Sequence, residues 1–178
     1  MTHGFAADQV AAYLRSVGLR RYLVDVGSEM RVSGDSPEGR PWRVAIERPP
    51  PESADDPGDA ASDNNRTSEA ATVRVVALRD VGIATSGNYR YYFDYNGRRY
   101  SHRIDPRTAE PIAHPLASVT VIAKEGLHAD ALATALSVLG PEEGFDYAER
   151  HDIAALFVVR TADGFEQRMT PRFAGFLN

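Results

Sequence analysis

The chain reads as an α+β fold, a mainly antiparallel β-sheet with a few packed helices, one of which is buried and carries the candidate metal ligands. Strand patterns outnumber helical ones, and most of the strands are separated by hairpin-length turns. The stretch from His128 to Gly140 is apolar on almost every side, as a helix must be when no face of it meets water.

Residues 1–8 run into a helix whose apolar positions Val10, Leu14 and Val17 recur at helical spacing, and Gly18 is a natural stop. Leu19 to Val26 reads as a strand, Gly27 as a turn, and Glu29 to Val32 as a second strand ending at the turn Gly34-Asp-Ser-Pro37. Trp42 to Glu47 alternates with period two and makes a third. Thr72 to Leu78, Val81 to Thr85 and Tyr89 to Tyr95 read as successive antiparallel strands, with Asn96-Gly97 as the hairpin turn into Arg98 to His102. Ile104 to Pro111 reads as a loop. Leu116 to Ala123 is an apolar strand leading into the buried helix, which opens near Leu127 and is stopped by Gly140-Pro141. Pro141 to Arg150 reads as a shorter helix, and Ile153 to Arg160 with Phe165 to Met169 as a last hairpin.

Between two of these strands, residues 49–70 hold no aromatic and no aliphatic larger than alanine. Such a segment cannot bury enough surface to offset its ordering entropy, so it reads as a disordered acidic insertion loop. It carries six acids against Arg66 alone, which accounts for the whole net charge of −5. That balance argues against nucleic acid as a partner. The absence of cysteine excludes disulfides, thiolate zinc sites and cysteine nucleophiles. No apolar run approaches the ~20 residues of a membrane span, and the N-terminus lacks a signal-peptide core.

Two side chains interrupt the buried helix. Asp130 and Thr134 stand at i and i+4, so they project from one face within its first two turns. A carboxylate beside a hydroxyl suits a hard cation, and Mg²⁺ takes one or two carboxylates with phosphates and waters completing its shell. The alternative is that Asp130 merely favours the helix N-terminal dipole while Thr134 bonds back to its own helix. Three further stretches are polar. Ala84 to Arg90 reads as a small-residue turn in which Ser86 and Gly87 let backbone N–H groups approach a phosphate, or as an ordinary strand connection. His102, at a strand end before a proline loop, is a candidate general base or a structural histidine. At the front, Gly4 precedes a helix start that could face an anion.

Six stretches in order resemble the ApbE family, the FAD:protein FMN transferases or flavin transferases. They are His3-Gly-Phe-Ala-Ala-Asp8, Val24-Asp-Val-Gly27, Trp42-Arg-Val-Ala-Ile46, Ala84-Thr-Ser-Gly-Asn-Tyr-Arg90, Tyr100-Ser-His-Arg-Ile-Asp-Pro-Arg-Thr108 and Ala129-Asp-Ala-Leu-Ala-Thr-Ala-Leu136. The resemblance implies Mg²⁺-dependent cleavage of FAD at its pyrophosphate, with FMN joined to a threonine or serine hydroxyl of a target protein and AMP released. It assigns Asp130, Ala133 and Thr134 to the metal, His102 to the proton of the incoming hydroxyl, and His3, Ser86, Gly87 and Ile104 to FAD. Ala133 stands where some members carry an acid, which thins the side-chain coordination. His3 stands where many have lysine or glutamate.

The resemblance also implies that residues 1–178 correspond to the C-terminal portion of a flavin transferase domain, without the usual N-terminal region. The competing reading is a non-catalytic family domain that lacks a complete FAD site. Loss of neighbouring elements would leave a sheet edge or apolar patch that favours self-association. Members are often exported or membrane-anchored, and the compartment of this chain stays open.

Replacing Pro50 to Ser68 with a short Gly/Ser link is expected to leave the melting temperature nearly unchanged, because loop-closure entropy varies slowly with length and nothing apolar is removed. A large fall in thermal denaturation would show that the segment packs somewhere.

Overall fold

The structure, a computed structural model, describes residues 1–49, 72–87, 92–95 and 98–177; nearly all of the acidic insertion and the Asn96-Gly97 turn lie outside the described residues. In chain order the elements are α1 (Thr2–Ser16), β1 (Tyr22–Val26), β2 (Glu29–Ser33), β3 (Trp42–Glu47), β4 (Thr72–Leu78), β5 (Gly82–Gly87), β6 (Tyr92–Tyr95), β7 (Arg98–Ser101), β8 (Ile104–Asp105) and β9 (Glu110–Pro111). They continue with β10 (Leu116–Ala123), α2 (Gly126–Leu139), α3 (Glu143–Arg150), β11 (Ala154–Thr161), β12 (Gly164–Met169) and α4 (Pro171–Ala174).

Six strands form the central sheet in the order β1-β2-β5-β10-β11-β12, and every pairing in it is antiparallel. The α+β expectation therefore holds. The apolar run of β10 has no alternation because both of its faces are covered. On one side Val119 and Val121, with Ala84 of β5, pack against Ala129, Ala133 and Leu136 of α2. On the other, Ile83, Ile122, Leu156 and Val158 meet the β3–β4 ribbon through Val44, Ile46, Val76 and Leu78, and meet Phe173 of α4. Thr170 caps α4: its hydroxyl accepts from Phe173 N–H and from Ala155 N–H, and donates to the Ile153 carbonyl. Helix α2 stops where expected, at Gly140 with φ +89°, a backbone value that a side chain would strain.

Three expectations change. The first helix begins at Thr2 and buries Gly4, Ala7 and Ala11, while Val10 and Val17 are exposed. Gly4 faces α2, where no Cβ fits, and Ala7 and Ala11 bury against Tyr22 and Val24 of β1. β4 and β5 are not neighbours. β4 pairs with β3 in a ribbon across the sheet, because Val76 and Leu78 bury with Val44 and Ile46 against the sheet face. Asp80, at φ +55°, turns the chain between them, and its carboxylate accepts from Gly34 N–H and the Ser33 hydroxyl. Finally, Ile104 to Pro111 is a tight hairpin of β8 and β9, closed by bonds from Ala109 N–H to the Asp105 carbonyl and from Arg107 N–H to its carboxylate.

α1, β5 and α2 approach one another closely through glycines. A Cβ on Gly4 would stand 2.3 Å from the Gly126 carbonyl oxygen, and one on Gly82 would stand 2.5 Å from the Gly126 nitrogen. Both neighbours are backbone, which cannot rotate away. Gly82→Ala is expected to cost on the order of 3 kcal/mol by overpacking. Gly39→Ala, at φ +73° in open space, is expected to lose only about 1 kcal/mol to backbone strain. Thermal denaturation of the two variants separates the effects; equal losses would remove the close-approach account.

Candidate functional site

α2 carries its polar side chains on one seam. Asp130, Thr134 and Ser137, at i, i+4 and i+7, each meet a different distant element. A buried polar group without a partner is costly, so these pairings are what allow the helix to sit in the core. Asp130 is 7% exposed, and its Oδ2 accepts from Gly4 N–H at 3.0 Å. Thr134 Oγ1 lies 3.2 Å from Ser86 Oγ on β5. Ser137 is 1% exposed, and Arg103 Nη1 donates to its hydroxyl at 3.2 Å. Thr134 thus reaches across to the sheet rather than back to its own helix.

Ser86 and Gly87 are part of strand β5, paired with Val119 and Ser118, so Ala84 to Gly87 is not a turn; Asn88 to Arg90 lie outside the described residues. Ala133 is fully buried against the sheet, and its side chain has no donor atom for a metal. His102 and Ile104 are exposed on the outward side of an extended segment whose alternate residues Ser101, Arg103 and Asp105 are half-buried. Burial holds the Arg103 guanidinium below the ordinary arginine value. The hairpin that follows is held to α3, since Arg107 bridges Asp105 and Glu143 at 2.8 Å each. The structure therefore brings together Asp130, Thr134 and Ser86. It sets His3 in the same helical turn as the Gly4 donor and sets His102 and Ile104 on the solvent side of the segment that Arg103 joins to α2.

A second carboxylate faces this region. Oε2 of Glu29 is buried without a hydrogen-bond partner, and His3 Nδ1 is 3.6 Å from it. Burial pushes the Glu29 carboxyl above its ordinary value, the neighbouring Asp130 adds to the rise, and His3 opposes it. Among the described residues no three His, Asp or Glu side chains converge as an all-protein metal cage. The donor set is one carboxylate with two hydroxyls, which fits Mg²⁺ that keeps phosphate and water in its shell.

Two residues of the region, Ser137 and Asp8, are not among those the sequence reading singles out. Ser137 extends the Asp130 and Thr134 spacing by one more turn, a signal that was available. Asp8 gives none. It belongs to α1, yet its Oδ1 and Oδ2 accept from Gly126 N–H at 2.9 Å and Leu127 N–H at 2.8 Å, the first amides of α2. Arg31 of β2 lies beneath it, Nε 3.4 Å from Oδ1.

The sequence and the fold both match known proteins. The family model described as the ApbE family matches residues 1–157. An FAD:protein FMN transferase of Haemophilus influenzae is 39% identical over 170 residues, covering 96% of this chain and 45% of the relative. One of Escherichia coli K12 is 41% identical over 174 residues, covering 98% and 45%. The apo crystal structure of the Pseudomonas stutzeri flavinyl transferase ApbE superposes with a TM-score of 0.79 at 43% identity, covering 98% of this chain and 49% of that one. The Thermotoga maritima ApbE protein gives 0.75 at 27% identity, covering 98% and 51%. The chain spans about half the length of the relatives it matches, and it belongs to the ApbE family.

Proposed function

We propose that this chain takes part in Mg²⁺-dependent transfer of FMN from FAD to a threonine or serine hydroxyl of a target protein, with release of AMP. The observation that carries the reading is the seam of Asp130 and Thr134 on one side of α2, with Asp130 accepting from Gly4 N–H and Thr134 meeting Ser86 of β5, in a family whose relatives are named FAD:protein FMN transferases. The acceptor hydroxyl oxygen forms a bond to the FMN phosphorus, the bond from that phosphorus to the bridging oxygen breaks, and AMP leaves with the bridging oxygen. His102, exposed at the end of β7, takes the hydroxyl proton.

Asp130 and Thr134 hold the cation, which when bound supplies charge neutralisation at the pyrophosphate. The Gly4 N–H fixes one Asp130 oxygen, leaving the carboxylate oriented before substrate arrives. Ser86 lies beside Thr134 and contributes a hydroxyl on the phosphate side. Ile104, on the ribbon braced by Arg103, meets the adenosine side of FAD through its backbone, and His3 is the FAD-binding residue of α1.

Asp130→Ala is expected to abolish Mg²⁺-dependent flavinylation of a target peptide while the fold is retained, because few carboxylates are present to replace it. Transfer at the parent rate would exclude the metal assignment. His102→Ala is expected to slow transfer by roughly 10²–10⁴-fold with FAD binding near the parent level. An equal collapse of FAD affinity, measured by titration, would assign His102 to binding instead.

A second reading, a family domain that does not turn over alone, is favoured by the coverage, since the matched relatives are about twice as long. It expects weak FAD binding with Mg²⁺ present. Low-micromolar binding with multiple turnover by the chain would exclude it.

A further inference from the structure

Helix α2 has no cap of its own. Its N-cap residue, Glu125, has the extended backbone that capping requires (φ −127°, ψ 148°), but its side chain caps nothing and pairs with His128 Nδ1 at 3.1 Å. The first amides of the helix are instead satisfied by Asp8, which lies 118 residues earlier on α1. Gly4 and Asp8 are i and i+4, so both project from the same face of α1. They meet α2 at two points one turn apart: Asp8 at the amides of Gly126 and Leu127, and the Gly4 N–H at the Asp130 carboxylate. Between these points the helices approach too closely for any Cβ. Sliding α2 by part of a turn would break both contacts together.

We propose that Asp8 is a positioning residue for the cation site, holding α2 at the register in which the Asp130 carboxylate is oriented by Gly4 and Thr134 meets Ser86. The role rests on the reading of Asp130 as the cation ligand. Arg31 supports it from β2. Its Nε faces Asp8, its Nη1 donates to the Val32 carbonyl, and its backbone pairs with Gly82, the residue whose missing side chain admits Gly126. Asp8 is thus held from below by the sheet and holds α2 from above. A cap that only ended a helix would need no such link, since Ser or Asp at position 125 would suffice.

That difference supplies the test. Mg²⁺ affinity is measured by titration calorimetry on the full chain, with and without FAD, and stability by thermal denaturation. Asp8→Asn, which keeps the shape and one acceptor, and Asp8→Ala are both expected to weaken Mg²⁺ binding by roughly 10–100-fold, the usual consequence of removing a group that orients a ligand. Adding Glu125→Ser to Asp8→Ala supplies a local cap. It is expected to recover the melting temperature while Mg²⁺ affinity stays weak, because a local cap does not join α2 to α1. Recovery of affinity together with stability would overturn the positioning role, as would parental affinity in Asp8→Asn. If the unsubstituted chain binds no Mg²⁺, or if Asp130→Ala binds it like the parent, the cation site itself is wrong and the positioning role falls with it.

Discussion

Three backbones meet at one point in this molecule, and no side chain fits between them. Gly4 of α1, Gly82 of β5 and Gly126 of α2 pack with built Cβ positions under 3 Å from neighbouring backbone. The rest of the site depends on that constraint. It brings the N–H of Gly4 within bonding distance of Asp130, and it leaves the first amides of α2 facing α1 rather than solvent. It also explains why α1 carries glycine at position 4, while Ala7 and Ala11 bury farther along against Tyr22 and Val24 of β1. A helix that must approach another this closely can offer only its smallest residues to the contact.

The packed side of α2 leaves little freedom for polar side chains, while His128 and Ala135 on its other side are exposed. Asp130, Thr134 and Ser137 are tolerated because α1, β5 and the segment before β8 each present one matching group. The pairing works in both directions. The same contacts that satisfy the buried groups also bring residues 3–8, 84–87 and 101–105 against one face of one helix. Packing and site assembly are therefore a single event, since a buried polar group left without its partner would cost more than the hydrogen bond is worth. Glu29 is the exception. Its carboxylate is buried near Asp130 with one oxygen lacking a hydrogen bond and His3 nearby, a local cost that the surrounding packing carries.

The extended segment from Ser101 to Asp105 divides its work by parity. Ser101, Arg103 and Asp105 turn inward, where Arg103 reaches α2 and Asp105 organises the β8–β9 hairpin with Arg107. His102 and Ile104 turn outward. Period-two alternation thus gives one short ribbon an anchored face and an exposed face. Arg107 extends the anchoring to Glu143 of α3, so the ribbon is held by both α2 and α3.

Much of the fold was legible in local pattern. β10 runs from Leu116 to Ala123 as its apolar stretch implies, α2 ends at Gly140, and the final hairpin lies within a residue of its expected bounds, because periodicity and glycine chemistry are local properties. The Asp130 and Thr134 spacing was legible for the same reason. What local pattern could not carry was the partner of each group. Nothing near Thr134 points to Ser86, nothing near Gly126 points to Asp8, and the strand pattern of Thr72 to Leu78 does not say that it crosses the sheet instead of joining it. In local pattern Gly4 reads only as preceding a helix start and Gly82 only as part of a strand. Only the tertiary fold reveals that both meet Gly126 in one contact, because a missing side chain has no meaning until the backbone that occupies its place is known.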